Sequence, residues 1–141
     1  MHNYRDFEVD PVNFDKLGEF VDDLHSKDMK FVPIIDAGIS QRDNGEYEAY
    51  MDGKDKDIFL KNDAGEILTS RVWPNDAVFP DWFNDNTTSW WHSWLTKLYN
   101  QVKFDGLWLD MNEATGYCNG ECVNGTVPTP PSAKKFEKRS L

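Results

Sequence analysis

The segment Trp108-Leu109-Asp110-Met111-Asn112-Glu113 concentrates side chains able to do chemistry. On an extended strand, side chains two apart share a face, so Trp108 and Asp110 project together. Glu113 then follows as the chain leaves the strand. A carboxylate so placed can attack an anomeric carbon, and a retaining displacement sets a proton-donating carboxyl about 5 to 5.5 Å away. Asp36, which closes the apolar run Lys30-Phe31-Val32-Pro33-Ile34-Ile35, is a second candidate. The residues alone leave plainer readings open: an acidic loop after a core strand, with Trp108 as packing and Glu113 solvated, or Asp36, Asp110 and Glu113 as oxygen ligands for Mg²⁺ in an unrelated barrel enzyme.

Such carboxylates are useful only if the chain brings them to one edge. Phe14, Leu17, Phe20, Val21 and Leu24 recur at spacings of three and four, predicting a helix that begins at Asp10-Pro11 and runs to about Lys27. The run 30–35 then predicts a strand covered on both faces, with Pro33 costing one ladder donor. Residues 41–56 are polar and read as a long surface loop. Asn62-Asp63-Ala64-Gly65 between Ile58-Phe59-Leu60-Lys61 and Glu66-Ile67-Leu68 predicts a hairpin, and a further loop passes through Trp73-Pro74 and Phe79-Pro80-Asp81. Asn84 or Asn86 caps a second helix whose stripe is Trp90, Trp91, Trp94, Leu95, Leu98 and Val102. Phe104 to Asp110 predicts another buried strand. Helix, strand, excursion, helix, strand is the rhythm of an α/β fold with parallel strands, which places Asp36 and Asp110 together at the carboxyl edge.

Composition narrows the partners. With 25 acidic residues against 15 Lys plus Arg, the formal charge is −10, which argues against nucleic acid and anionic membrane surfaces. Lys134, Lys135, Lys138 and Arg139 form only a short basic tail. No apolar run approaches the roughly 18 residues of a membrane span. Aromatic residues make up 14% of the chain, enough both for a core and for stacking on sugar faces. Cys118 and Cys122 read either as a small disulfide or as free thiols. With the sequons at Asn86 and Asn124 they suit a protein of the secretory route, whether lysosomal, reticular or extracellular.

The segment Phe104-Asp-Gly-Leu-Trp-Leu-Asp-Met-Asn-Glu-Ala114 closely resembles the nucleophile region of glycoside hydrolase family 31, the α-glucosidase and maltase family. The resemblance extends over residues 1–122. Met1 to Pro11 resembles the end of the family's D-I-D-Y-M segment and the charged stretch after it, and KFVPIIDAGIS resembles its V-x-I-x-D-P-A-I-S strand. DIFLKNDAGEIL and RVWPNDAVFPDWF resemble its hairpin and V-W-P-G loop. The resemblance implies a fragment of a (β/α)8 TIM barrel, roughly its third and fourth strands, over 1–125, followed by a Pro-rich and basic tail, 126–141. It implies Asp110 as nucleophile, with Glu113 accompanying it. Trp73, Trp108, Met111 and Ile34 become pocket walls, and Asp36 a group that holds the site or contacts sugar. No metal or cofactor is implied.

The implied activity is retaining hydrolysis of terminal α-linked glucose from oligosaccharides. The family's α-xylosidases and glycoprotein-processing glucosidases, or a non-catalytic sugar-binding remnant, stand as alternatives. Ala114, Ala37-Gly38 and Asn75 depart from the family's Pro, Pro-Ala and Gly. A full barrel takes about 250 residues. The general acid and the remainder of the barrel are expected beyond this chain, which alone is expected to be inactive.

Overall fold

The computed structural model describes residues 2–41, 45–118 and 121–122. Its elements are α1 (Leu17–Ser26), β1 (Ile34–Asp36), β2 (Ile39–Ser40), α2 (Glu48–Asp55), β3 (Ser70–Val72), β4 (Asn75–Val78), α3 (Asp85–Gln101) and β5 (Trp108–Asp110). β1 and β5 pair in parallel with α3 in the connection between them, as expected of a crossover unit. A second sheet, ordered β2-β4-β3, is antiparallel and stands on the excursion between β1 and α3.

The core lies between α3, α2 and the segment around Phe7. Asn84 starts α3 by accepting the Asn86 amide at 2.9 Å, and Thr87, Trp90, Trp94 and Leu98 form its buried stripe. Phe7 meets the edges of Trp90 and Trp91 at centroid distances of 6.0 and 5.3 Å. These rings belong to one buried cluster with Ile35, Ile39, Tyr47, Tyr50, Ile58, Phe59 and Val78.

Four expectations are corrected. Residues 48–55 form α2 and not surface loop, because Tyr47, Ala49, Tyr50 and Gly53 are buried beneath polar neighbours. The Trp90 indole donates to the Ala49 carbonyl at 3.2 Å and the Trp94 indole to Asp52 at 3.0 Å, so packing on α3 organises a sequence of weak helical pattern. The Trp73-Pro74 loop is the turn of a β3–β4 hairpin, and Asn75 takes φ 71° where the family's Gly would stand, a conformation Asn tolerates better than most residues. α1 starts at Leu17, since Asp10 spends its carboxylate on the Val12 and Asn13 amides in a local turn that does not propagate. Finally, the strands are not covered on both faces: Trp108 and Leu109 are 58% and 61% exposed.

That exposure has a structural cause. Among the described residues β1 and β5 have only each other as ladder partners, whereas every strand of a closed barrel has two neighbours. An open apolar groove of 640 Å³ lies beside β1, lined by Phe14, Leu17, Phe20, Phe31, Ile34 and Val102 among others. The 62–65 hairpin forms as expected. The Asn62 amide bonds the Glu66 carbonyl, Asn62 Oδ1 accepts from Ala64 and Glu66, and Gly65 turns at φ 80°.

Candidate active site

Register decides the geometry of the strand mouth. Ile34 pairs with Trp108, Ile35 with Leu109 and Asp36 with Asp110, so the two aspartates end adjacent parallel strands at the same level. Ile34 and Trp108 are likewise paired two residues below them, on the same face by the strand repeat. Four of the seven residues singled out from sequence thus meet across a single ladder.

Asp36 is the buried member, 6% exposed, and Asp110 is half-buried. Burial first, and then the nearby negative charge of Asp110, raise the Asp36 carboxyl above the ordinary aspartate range. The Trp73 side chain works in the opposite direction. Trp73, at the tip of the β3–β4 hairpin, therefore stands near Asp36 although 37 positions of sequence separate them.

Beyond Asp110 the chain turns sharply. Met111 has φ 50°, unusual for a side chain with a Cβ, and is 38% exposed. Glu113 is exposed and lies past that turn. The onward chain is docked on β3: Ser70 Oγ donates to the Thr115 carbonyl, the Tyr117 amide to the Arg71 carbonyl at 2.9 Å, and the Cys122 amide to the Thr69 carbonyl at 2.9 Å. Cys118 and Cys122 are disulfide-bonded. Asn86 is exposed in the first turn of α3, and Asn124 lies outside the described residues.

Two contributors were not legible in the sequence. Asp6 is 2% exposed and its Oδ1 accepts the Asp36 amide at 3.1 Å. Trp82 donates its indole N–H to the Asn112 carbonyl at 3.1 Å while its ring meets Trp91 edge-on at 5.3 Å. Asp6 gives no periodic signal because its segment is irregular. An aromatic in a loop between Asp81 and the Asn84 cap was the available hint for Trp82. Among the described residues no three His, Cys, Asp or Glu side chains converge in a group that could hold a metal ion.

This arrangement offers two strand-end carboxylates in unlike environments, one buried and one accessible, with aromatic rings beside them. The chain is also similar to known proteins. The profile of the "Glycosyl hydrolases family 31 TIM-barrel domain" matches residues 1–140. Glucoamylase 1 of Candida albicans is 38% identical over 144 residues, which cover 97% of this chain and 15% of that protein. Lysosomal alpha-glucosidase of Mus musculus is 34% identical over 131 residues, covering 90% and 14%. The crystal structure of a DNJ-bound glucosidase II alpha subunit superposes with TM-score 0.70 at 26% identity, over 78% of this chain and 12% of that one. The chain thus spans about one seventh of the length of these curated relatives, and it belongs to glycosyl hydrolase family 31, within the TIM-barrel domain of that family.

Proposed function

We propose that this chain supplies the nucleophile side of a retaining α-glucosidase site acting on terminal α-linked glucose of oligosaccharides. The observation that carries the reading is the parallel register of Asp36 with Asp110. It gives one accessible carboxylate for attack and one buried carboxylate, beside Trp73, to hold a sugar hydroxyl or the site itself. An Asp110 oxygen attacks the anomeric carbon, the new C–O bond forms as the glycosidic bond breaks, and the departing oxygen takes the bonding pair with a proton from a general acid. Water then releases the glucose from its ester with Asp110. Glu113 accompanies Asp110 and supports the loop. Trp73, Trp108, Met111 and Ile34 wall the pocket for the ring. The general acid comes from another part of the barrel, and without it the rate falls by several powers of ten.

The exposed sequon at Asn86, the Cys118–Cys122 disulfide and the lysosomal and glucosidase II relatives support a secretory-route protein. The test separates nucleophile from acid. A 5-fluoro-α-glucosyl fluoride carries a leaving group that needs no protonation, so it is expected to esterify Asp110 in the 141-residue chain, read by peptide mass spectrometry and absent in Asp110→Asn. A nitrophenyl α-glucoside is expected to show no useful turnover. Labelling at Asp36 or Glu113 would sink the assignment of Asp110. Robust nitrophenyl glucoside hydrolysis abolished by Asp110→Asn would instead remove the need for an external acid.

A further inference from the structure

We propose that Asp6 is a positioning residue for Asp36: its buried carboxyl clasps the Asp36 amide and so fixes where the Asp36 side chain stands beside Asp110. The proposal rests on the reading of Asp36 as a carboxylate of the sugar site. Asp36 is the last residue of β1, in register with Asp110 of β5. Its amide is met by Asp6 Oδ1 at 3.1 Å, from a segment 30 residues earlier in the chain.

The segment bearing Asp6 is built to hold it there. Asn3, Tyr4 and Phe7 all take positive φ, at 51°, 58° and 66°, a cost that persists only where surrounding contacts enforce it. Those contacts are present on both sides. The Phe7 ring is locked among Trp90, Trp91 and Trp94, and the buried Tyr47 hydroxyl donates to the Asp6 carbonyl at 3.1 Å. Burying a carboxyl is costly unless it is bonded, and Asp6 is only 2% exposed. Neighbouring charges act on it in both directions, Asp36 raising its carboxyl and the N-terminal amine lowering it. Arg5 turns to Glu8 at 3.1 Å and to the Glu46 carbonyl at 2.7 Å, while Asp36 faces Asp6 from β1 and Asp110 stands behind Asp36 on β5.

Geometry and electrostatics agree here. Burial, opposed by the Asp36 amide and reinforced by the Asp36 charge, pushes the Asp6 carboxyl up to about 7. The Asp36 amide therefore bonds a neutral acid in acidic solution and a carboxylate above neutrality. A bond to an ionised acceptor is roughly twice as strong, and the amide proton registers the change. A residue that merely filled space would transmit no such step.

The experiment is a ¹⁵N-resolved pH titration of the whole 141-residue chain from pH 5 to 9, with 1-deoxynojirimycin as the sugar-site probe. In the unmodified chain the Asp36 amide is expected to titrate with a midpoint near that of Asp6. Asp6→Asn keeps an oxygen for the amide but cannot ionise, so the step disappears while the spectrum stays native. Asp6→Ala removes the acceptor and is expected to weaken 1-deoxynojirimycin binding about tenfold relative to Asp6→Asn, the scale of one unsatisfied buried N–H. An Asp36 amide with no step near the Asp6 midpoint, or a step at that midpoint that survives Asp6→Asn, overturns the proposal. A step abolished by Asp6→Asn with no 1-deoxynojirimycin bound by any form upholds the Asp6 to Asp36 linkage and overturns the sugar-site reading instead.

Discussion

Trp82 and Asn112 join the two loops that flank α3: the indole N–H of one donates to the carbonyl of the other at 3.1 Å. Asn112 follows Met111, whose φ of 50° is a conformation that costs a non-glycine residue about 1 kcal/mol or more. The bond thus pins the chain just past Asp110 in a turn it would otherwise leave. Trp82→Phe keeps the ring against Trp91 and deletes only the donor. We predict a loss of about 1 kcal/mol in stability, with faster amide exchange confined to residues 111–114. Unchanged exchange there would show that the turn is held by something else.

The disulfide fixes the far end of the same stretch. Cys118 and Cys122 close a five-residue loop whose Cys122 amide bonds the Thr69 carbonyl beside β3. Loop-closure entropy for so short a ring gives about 2 kcal/mol. Replacing both cysteines by serine is expected to lower the unfolding free energy by that amount, read from the shifted urea midpoint and its slope. Protease cleavage is expected to rise between residues 113 and 122 before any rise within α3. Equal sensitivity throughout the chain would contradict this local role.

What could be read from residues alone follows the physics of range. α3 was legible because its cap and its Trp90, Trp94 and Leu98 stripe are local features with a 3.6-residue period. The union of Asp36 with Asp110 was legible because parallel strands with a crossover can align in few ways. α2 was not, because its stability comes from Trp90 and Trp94 some forty positions away and not from its own pattern. The β3–β4 hairpin was hidden by the Trp73-Pro74 turn, whose Asn75 tolerates positive φ without announcing it as Gly would. Asp6 belonged to no element, so no periodicity could mark it.

Gly53 shows how tightly α2 meets the core. A Cβ added there would lie 2.5 Å from the Phe59 ring and 3.3 Å from the Trp90 indole nitrogen. Ala is the better helix former by about 1 kcal/mol, so on propensity alone Gly53→Ala would stabilise. The clash reverses the sign, because moving Phe59 disturbs its stack on Tyr50 at 5.6 Å and its edge contact with Trp90. We predict a net loss of about 1 to 3 kcal/mol, the usual cost of overpacking. Thermal unfolding measures it, and a stabilised variant would mean that α2 stands further from α3.

The dependence of stability on pH has two limbs of different origin. Asp10 and Asp105 are held below the ordinary range, Asp10 chiefly by the Asn13 amide and side chain and Asp105, at about 2, chiefly by the Phe31 amide with His25 assisting. Their folded forms bind protons less readily than the unfolded chain, so their contribution is present above about pH 4 and is lost as the pH falls through their folded values. Asp6 has the opposite sign. With its folded carboxyl raised to about 7 from 3.8, the native state keeps a proton that the unfolded chain releases, so stability declines as the pH rises from about 4 to 7. The raised Asp36 carboxyl adds to the same limb. We therefore predict maximal thermal stability in mildly acidic solution, near pH 4 to 5 by this argument, with up to about 4 kcal/mol lost on the alkaline side through Asp6. Asp6→Asn should flatten that alkaline decline and leave the acid limb, set by Asp10 and Asp105, as it was. Melting curves taken across this range in both forms decide the matter, since an alkaline decline of equal depth in Asp6→Asn would assign it to other groups.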